Sequence, residues 1–219
     1  MRLTLFNVAL TLTLSPLCRA QGWEVGAVAG YGGYSNGTIV DNIGESAGAG
    51  FHPGWALGAV LSEDPYNYIG GEVRYLFRWG SPELQFQGTR ATIGGYSNLL
   101  VYDSLVHMRP QGKRIRPYVA GGAGVKVYTG SNPRFLTLTQ PLVQFAALRP
   151  CTEVEPAVSI GAGLKYRVKR HVWLRADFRA YMTPLPGELF RTTRLSAIRG
   201  WVYDFVPQVG VSYTFYEEH

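Results

Sequence analysis

The chain has 219 residues, 46% hydrophobic and 16% charged, and a formal net charge of +6. That length admits one sizeable domain, the apolar content excludes a disordered chain, and the modest charge is not that of a nucleic-acid-binding surface. Beyond residue 20 no apolar run approaches the roughly 18 residues that a membrane-spanning helix requires.

Residues 1–20, "MRLTLFNVALTLTLSPLCRA", place Arg2 before an apolar stretch from Leu3 to Leu14, a break at Pro16 and a small-x-small end at Cys18-Arg19-Ala20. This is the layout of a secretory signal peptide cleaved after Ala20, leaving residues 21–219 as the mature protein. Leu17 is not small, which argues against a lipid anchor on Cys18. Cleavage leaves 19 basic and 15 acidic residues, a net charge of +4, with Cys151 as the remaining cysteine. In an oxidising compartment such a chain forms no intrachain disulfide.

From Gln21 onward the chain alternates with period two in eight segments: 23–34, 54–62, 67–79, 92–108, 117–129, 157–168, 171–182 and 201–215. In the sixth, Val158, Ile160, Ala162, Leu164, Tyr166 and Val168 interleave with Ser159, Gly161, Gly163, Lys165 and Arg167. The seventh sets Val172, Leu174, Ala176, Phe178, Ala180 and Met182 against Trp173, Arg175, Asp177, Arg179 and Tyr181. Successive side chains leave a strand on opposite faces, so these are strands with one apolar face. The turns alternate in length: short near 62–67, 109–117 and 169–171, long at 35–52, 80–90, 130–155 and 183–200. Short turns at one end and long loops at the other predict an all-β, eight-stranded antiparallel up-and-down transmembrane β-barrel.

A period-two face does not by itself say whether the apolar side meets a core or lipid. The other face decides it. It carries Glu24, Glu72, Arg74, Arg78, Asp103, His107, Lys126, Lys165, Arg167, Arg175, Asp177 and Arg179, interspersed with glycines such as Gly26, Gly122, Gly161 and Gly163. A water-facing surface has no use for that many glycines, whereas the narrow interior of a small barrel does, because long charged side chains need small neighbours. The charges are therefore expected in the lumen as a paired network, with the Val, Leu and Ala row on lipid. Aromatics near the strand ends, among them Trp55, Trp79, Tyr166, Trp201 and Tyr213, suit interfacial girdles.

The last segment, "QVGVSYTF", contains Gln208, Gly210, Tyr213 and the aromatic Phe215, and is followed by "YEEH". It resembles the C-terminal β-signal by which the barrel-assembly machinery recognises its clients. With the leader, the eight segments and the alternating loops, the mature chain as a whole resembles the outer-membrane β-barrel family that includes the OmpA-like transmembrane domain. "RPYVAGGAGVKVY", 116–128, resembles the strand that follows a short periplasmic turn in that family. The resemblance implies export through the periplasm to the bacterial outer membrane. Because the chain stops at His219, no cell-wall-binding domain is expected to follow.

No chemistry-bearing motif stands out. "GGAGVK", 121–126, lacks the Gly-Lys-Ser/Thr end of a phosphate loop and lies within a strand. Asp103 and His107 share a strand face that Ser104 does not, so no local nucleophile–base pair forms. His52, His107, His171 and His219 are scattered, and neither a metal nor a cofactor is expected. The expected role is that of a non-enzymatic barrel with structural or surface-interaction duties and a polar, filled lumen. The alternatives are a narrow pore preferring anions and a soluble lipocalin-like binder with the faces inverted. Loops 130–155 and 183–200 are unusually apolar, so they are expected to pack on each other. Arg191, Arg194 and Arg199 are then free to contact lipopolysaccharide phosphates or an unidentified cell-surface partner.

Overall fold

A computed structural model describes residues 22–35, 37–40, 45–131, 146–192 and 197–215. The expected signal peptide and the "YEEH" tail lie outside the described residues. The described strands are β1 (Trp23–Ser35), β2 (Gly37–Val40), β3 (Ser46–Phe51), β4 (Gly54–Glu63), β5 (Ile69–Trp79), β6 (Pro82–Phe86), β7 (Thr89–Thr92) and β8 (Gly95–His107). They continue with β9 (Ile115–Gly130), β10 (Ala146–Leu148), β11 (Thr152–Lys169), β12 (Val172–Pro184), β13 (Phe190–Thr192), β14 (Ala197–Arg199) and β15 (Trp201–Thr214).

Eight of these close into an antiparallel barrel in the order β1-β15-β12-β11-β9-β8-β5-β4. They are the eight segments expected from the alternation. The seam joins the first strand to the last, from Glu24 opposite Thr214 to Ser35 opposite Tyr203, so the barrel has no free edge. The apolar row points outward, with Val158, Ile160, Leu164, Leu174 and Val209 all exposed. The charged row points inward, with Arg74, Arg78, Asp103 and Arg179 fully buried.

The long connections differ from plain loops. β9 runs on to Gly130 and β11 begins at Thr152, which shortens the third connection from the expected 130–155. The segments within the connections pair into a five-stranded sheet, β14-β2-β3-β6-β7, and a two-stranded one, β10-β13. The second of these joins the two apolar loops, with Ala147 opposite Arg191 and Leu148 opposite Phe190, so the two loops do pack on each other. The reason is burial: Ile39, Ala47, Ala49, Phe51, Leu84, Leu148, Leu189 and Phe190 form one apolar cluster with Tyr128 and Val202 from the barrel wall. Phe51 stacks on Tyr128 at 4.7 Å and meets Phe190 edge-on at 5.8 Å. Between β6 and β7 the two-residue turn Gln87-Gly88 has φ of 45° and 82°, the left-handed pair that matches the twist of a hairpin.

Candidate functional site: the barrel interior

The strand parity that exposes the apolar row turns the ionic row into the barrel interior, where burial makes unpaired charges costly. Glu72 on β5 sits at the centre. It accepts hydrogen bonds from Ser62 Oγ at 2.9 Å, Arg74 Nη2 at 2.6 Å and Arg179 Nη2 at 3.3 Å, and it also pairs with Arg175. β5 and β12 stand four strands apart whichever way round the barrel one counts. The Glu72–Arg175 pair and the Arg74–Asp177 pair at 3.2 Å therefore span the full diameter.

Neighbouring pairs extend this network. Lys165 Nζ reaches Glu24 at 2.7 Å, Ser212 Oγ donates to the same carboxylate at 2.6 Å, and Arg179 holds Asp103 at 2.8 Å. Tyr118 donates to Asp177, and a side chain at Gly163 would collide with both of them. That glycine is required for the close approach.

Toward the long loops an apolar set that includes Val28, Leu76, Leu99, Val101, Tyr181 and Val206 is buried within the barrel. A second ionic group involves Asp204, which receives Arg78 at 2.7 Å and Lys126 at 2.8 Å, while both cations lie 4.9 Å from the Tyr34 ring. The apolar cluster of the loop sheets begins with Tyr128, whose hydroxyl meets Thr183 at 2.7 Å. At the short-turn end Asp64 pairs with Arg116 at 2.6 Å and with His107 at 3.2 Å. Burial opposes ionisation of Asp64, yet Lys165, His107 and Arg116 together hold its carboxyl below the ordinary carboxylate range.

Of the charges expected in the lumen, Glu24, Glu72, Arg74, Arg78, Asp103, Lys126, Lys165, Arg175, Asp177 and Arg179 are buried there. Arg167, near the short-turn end of β11, is half-buried; it donates to the Gly112 carbonyl at 2.6 Å and its guanidinium lies 5.6 Å from the Trp173 ring. Sequence reasoning missed Asp204, Arg116 and Asp64. Asp204 was legible, because Val202, Asp204, Val206 and Gln208 alternate with Trp201, Tyr203 and Phe205. Asp64 lies in a turn, where period two gives no guidance.

Gln208 is also an interior residue, accepting from Arg74 Nη1 at 2.6 Å and donating to the Tyr181 hydroxyl at 3.3 Å. Gly210 has the same inward parity, whereas Tyr213 and Phe215 face outward and are exposed. Arg191 and Arg199 belong to β13 and β14, and Arg194 lies outside the described residues.

The structure does not bring together the Asp103, Ser104 and His107 weighed from the sequence. Ser104 is exposed on the outer face, Asp103 is committed to Arg179, and His107 is committed to Asp64. Among the described residues no group of three His, Cys, Asp or Glu side chains could hold a metal ion.

No protein-family profile matches the chain, and no curated protein matches it in sequence. Solved structures do resemble it in fold. The outer membrane protein OprG from Pseudomonas aeruginosa is 14% identical, with a TM-score of 0.56 over 90% of this chain and 97% of that one. A major outer membrane protein from Thermus thermophilus is 13% identical, with a TM-score of 0.55 over 88% and 99%. Neisserial surface protein A is 12% identical, with a TM-score of 0.54 over 88% and 97%.

Proposed function

Starting from the fold of the eight-stranded outer-membrane β-barrel, we propose that this protein is a non-enzymatic integral barrel of the bacterial outer membrane. It holds a folded β-sheet cap at the cell surface and does not conduct solutes. The observation that carries this reading is the set of ion pairs across the full diameter, Glu72–Arg175 and Arg74–Asp177. A channel needs a water-filled path, and side chains that meet in mid-lumen without exposure leave none in that layer. The apolar cluster under the loop sheets supports the same reading from the other end.

In this reading the short turns face the periplasm and the loop sheets face outward. Residues 1–20 direct export, and the last strand, with Gln208, Gly210, Tyr213 and Phe215, is read by the assembly machinery as it closes against β1. Arg191 and Arg199, on β13 and β14, together with Arg194 contact phosphate groups of lipopolysaccharide. The test is the purified protein in planar bilayers, after its gel band has been found to shift on boiling as a folded barrel's does. Folded protein with no conductance steps is expected. Steady anion-selective steps that change with Arg175→Ala and Arg179→Ala would establish a narrow pore instead.

A further inference from the structure

The outward face is not evenly convex. Where β4, β1, β15, β12 and β11 lie side by side, two adjoining hollows of about 720 Å³ and about 810 Å³ open on the apolar wall. They share Ala29, Leu164, Ala176 and Val209 and so form one furrow. Its depth comes from small side chains: Ala29 on β1 and Ala176 on β12 flank Val209, while the next strands on either side, β4 and β11, present Leu57 and Leu164 at the same register. Toward the long loops the furrow is bounded by Tyr31, Trp55 and Phe178. Toward the short turns it ends against Tyr166.

Tyr166 is also where charge appears. The Arg114 guanidinium lies 5.2 Å from the centre of its ring, and the Arg114 Nε–H donates to the Arg167 carbonyl at 3.3 Å. Arg114 belongs to the turn between β8 and β9, which also carries the exposed Arg109 and Lys113, while Lys169 and Arg170 stand at the adjacent turn between β11 and β12. The acids described near these turns are Glu63, which is half-buried, and Asp64, which is turned inward to Arg116 and His107. A cationic rim therefore meets the end of an apolar furrow on the lipid-facing side.

We propose that this furrow is a binding site for one anionic phospholipid of the inner, periplasmic leaflet. An acyl chain lies along Ala29 and Ala176, and the headgroup phosphate sits at Arg114 with Lys113 and Lys169 around it. The inference rests on the membrane orientation given above. Charge complementarity selects this occupant over a second copy of the chain, because among the described outward positions of the barrel strands the single acid is Glu63 at the strand end. Juxtamembrane basic residues attract anionic headgroups by about fivefold in affinity for each charge. The furrow adds the apolar contact that turns such attraction into a defined site.

The experiment titrates dioleoyl phosphatidylglycerol or dioleoyl phosphatidylcholine into folded protein in detergent and counts retained lipids by native mass spectrometry. One phosphatidylglycerol retained in preference to phosphatidylcholine is expected. Arg114→Gln should cut that preference by about fivefold. Ala29→Leu with Ala176→Leu, which fills the furrow from outside without touching the interior, should reduce retention of both lipids. Equal retention of the two lipids, or retention unchanged by both variants, would overturn the site. A dimer that disappears on filling the furrow would overturn it too, in favour of a second copy as the occupant. Absence of a boiling shift in the wild type would instead remove the membrane barrel itself, and the inference with it, by a separate readout.

Discussion

Glu72 and Arg175 meet at the barrel centre from walls that lie as far apart as the eight-strand order allows. Both side chains are fully buried, and Glu72 additionally holds Arg74 and Arg179. One carboxylate thus fixes three guanidinium groups drawn from two opposite strands, and the barrel cannot widen or change register without breaking that set.

Glu72→Gln should therefore be costly. It leaves Arg74, Arg175 and Arg179 with less negative charge than they need, and breaking a buried ion pair from one side costs about 3–5 kcal/mol. The expected result is a clear drop in the temperature at which the boiling shift occurs, measured by gel migration after graded heating. An unchanged midpoint would mean that the central pairs contribute nothing net.

Asp64 predicts an acid limb. Its folded-state pKa lies below the unfolded value of about 3.9, so its contribution to stability is complete above that pH and is lost as pH falls toward the folded value. Unfolding in detergent followed from about pH 6 down to about pH 2 should show this loss, and Asp64→Asn should flatten it. Because the group lies in the turn, the change should appear first at the short-turn end, as faster proteolysis between β4 and β5.

The cap should be separable from the barrel. Phe51→Ala removes a ring stacked on Tyr128 and packed edge-on to Phe190, and deletions of this size cost about 3–5 kcal/mol. External protease should then cut the loop sheets of intact cells more readily. The boiling shift of the barrel should change much less, since the interior pairs below are untouched.

Cys151 should be a slow thiol. Burial together with the carboxylates of Glu153 and Glu188 raises its pKa above the ordinary cysteine value, so little thiolate is present near neutrality. Alkylation by iodoacetamide should be slower than for a free cysteine and should speed up in Glu188→Gln. Glu153 is the wrong residue to change, since its carboxylate accepts from the backbone N–H groups of Gly187, Glu188 and Leu189.

Several features are legible in the sequence because they are local. Period two in "SIGAGLKYRVKRHVWLRADFRAYM" requires strands, and one shift in parity would exchange every charge for an apolar residue, so the face of each residue follows from its neighbours alone. Eight such segments, with turns alternately short and long, are enough to imply the barrel, and the glycines between the charges are enough to say which face is inside. The partners are not legible there. Glu72 could have paired with any basic residue of the inner row, and only the closed order of strands places Arg175 opposite it. Asp64 enters through a turn, where alternation gives no face to read. The long connections became sheets because Ile39, Phe51, Leu84, Leu189 and Phe190 bury one another from four separate segments, a contact that no window of sequence contains. Alternation is a property of the backbone, read one residue at a time; pairing across a lumen, a shared apolar cap and a furrow between strands depend on distances that exist only once the chain has closed on itself.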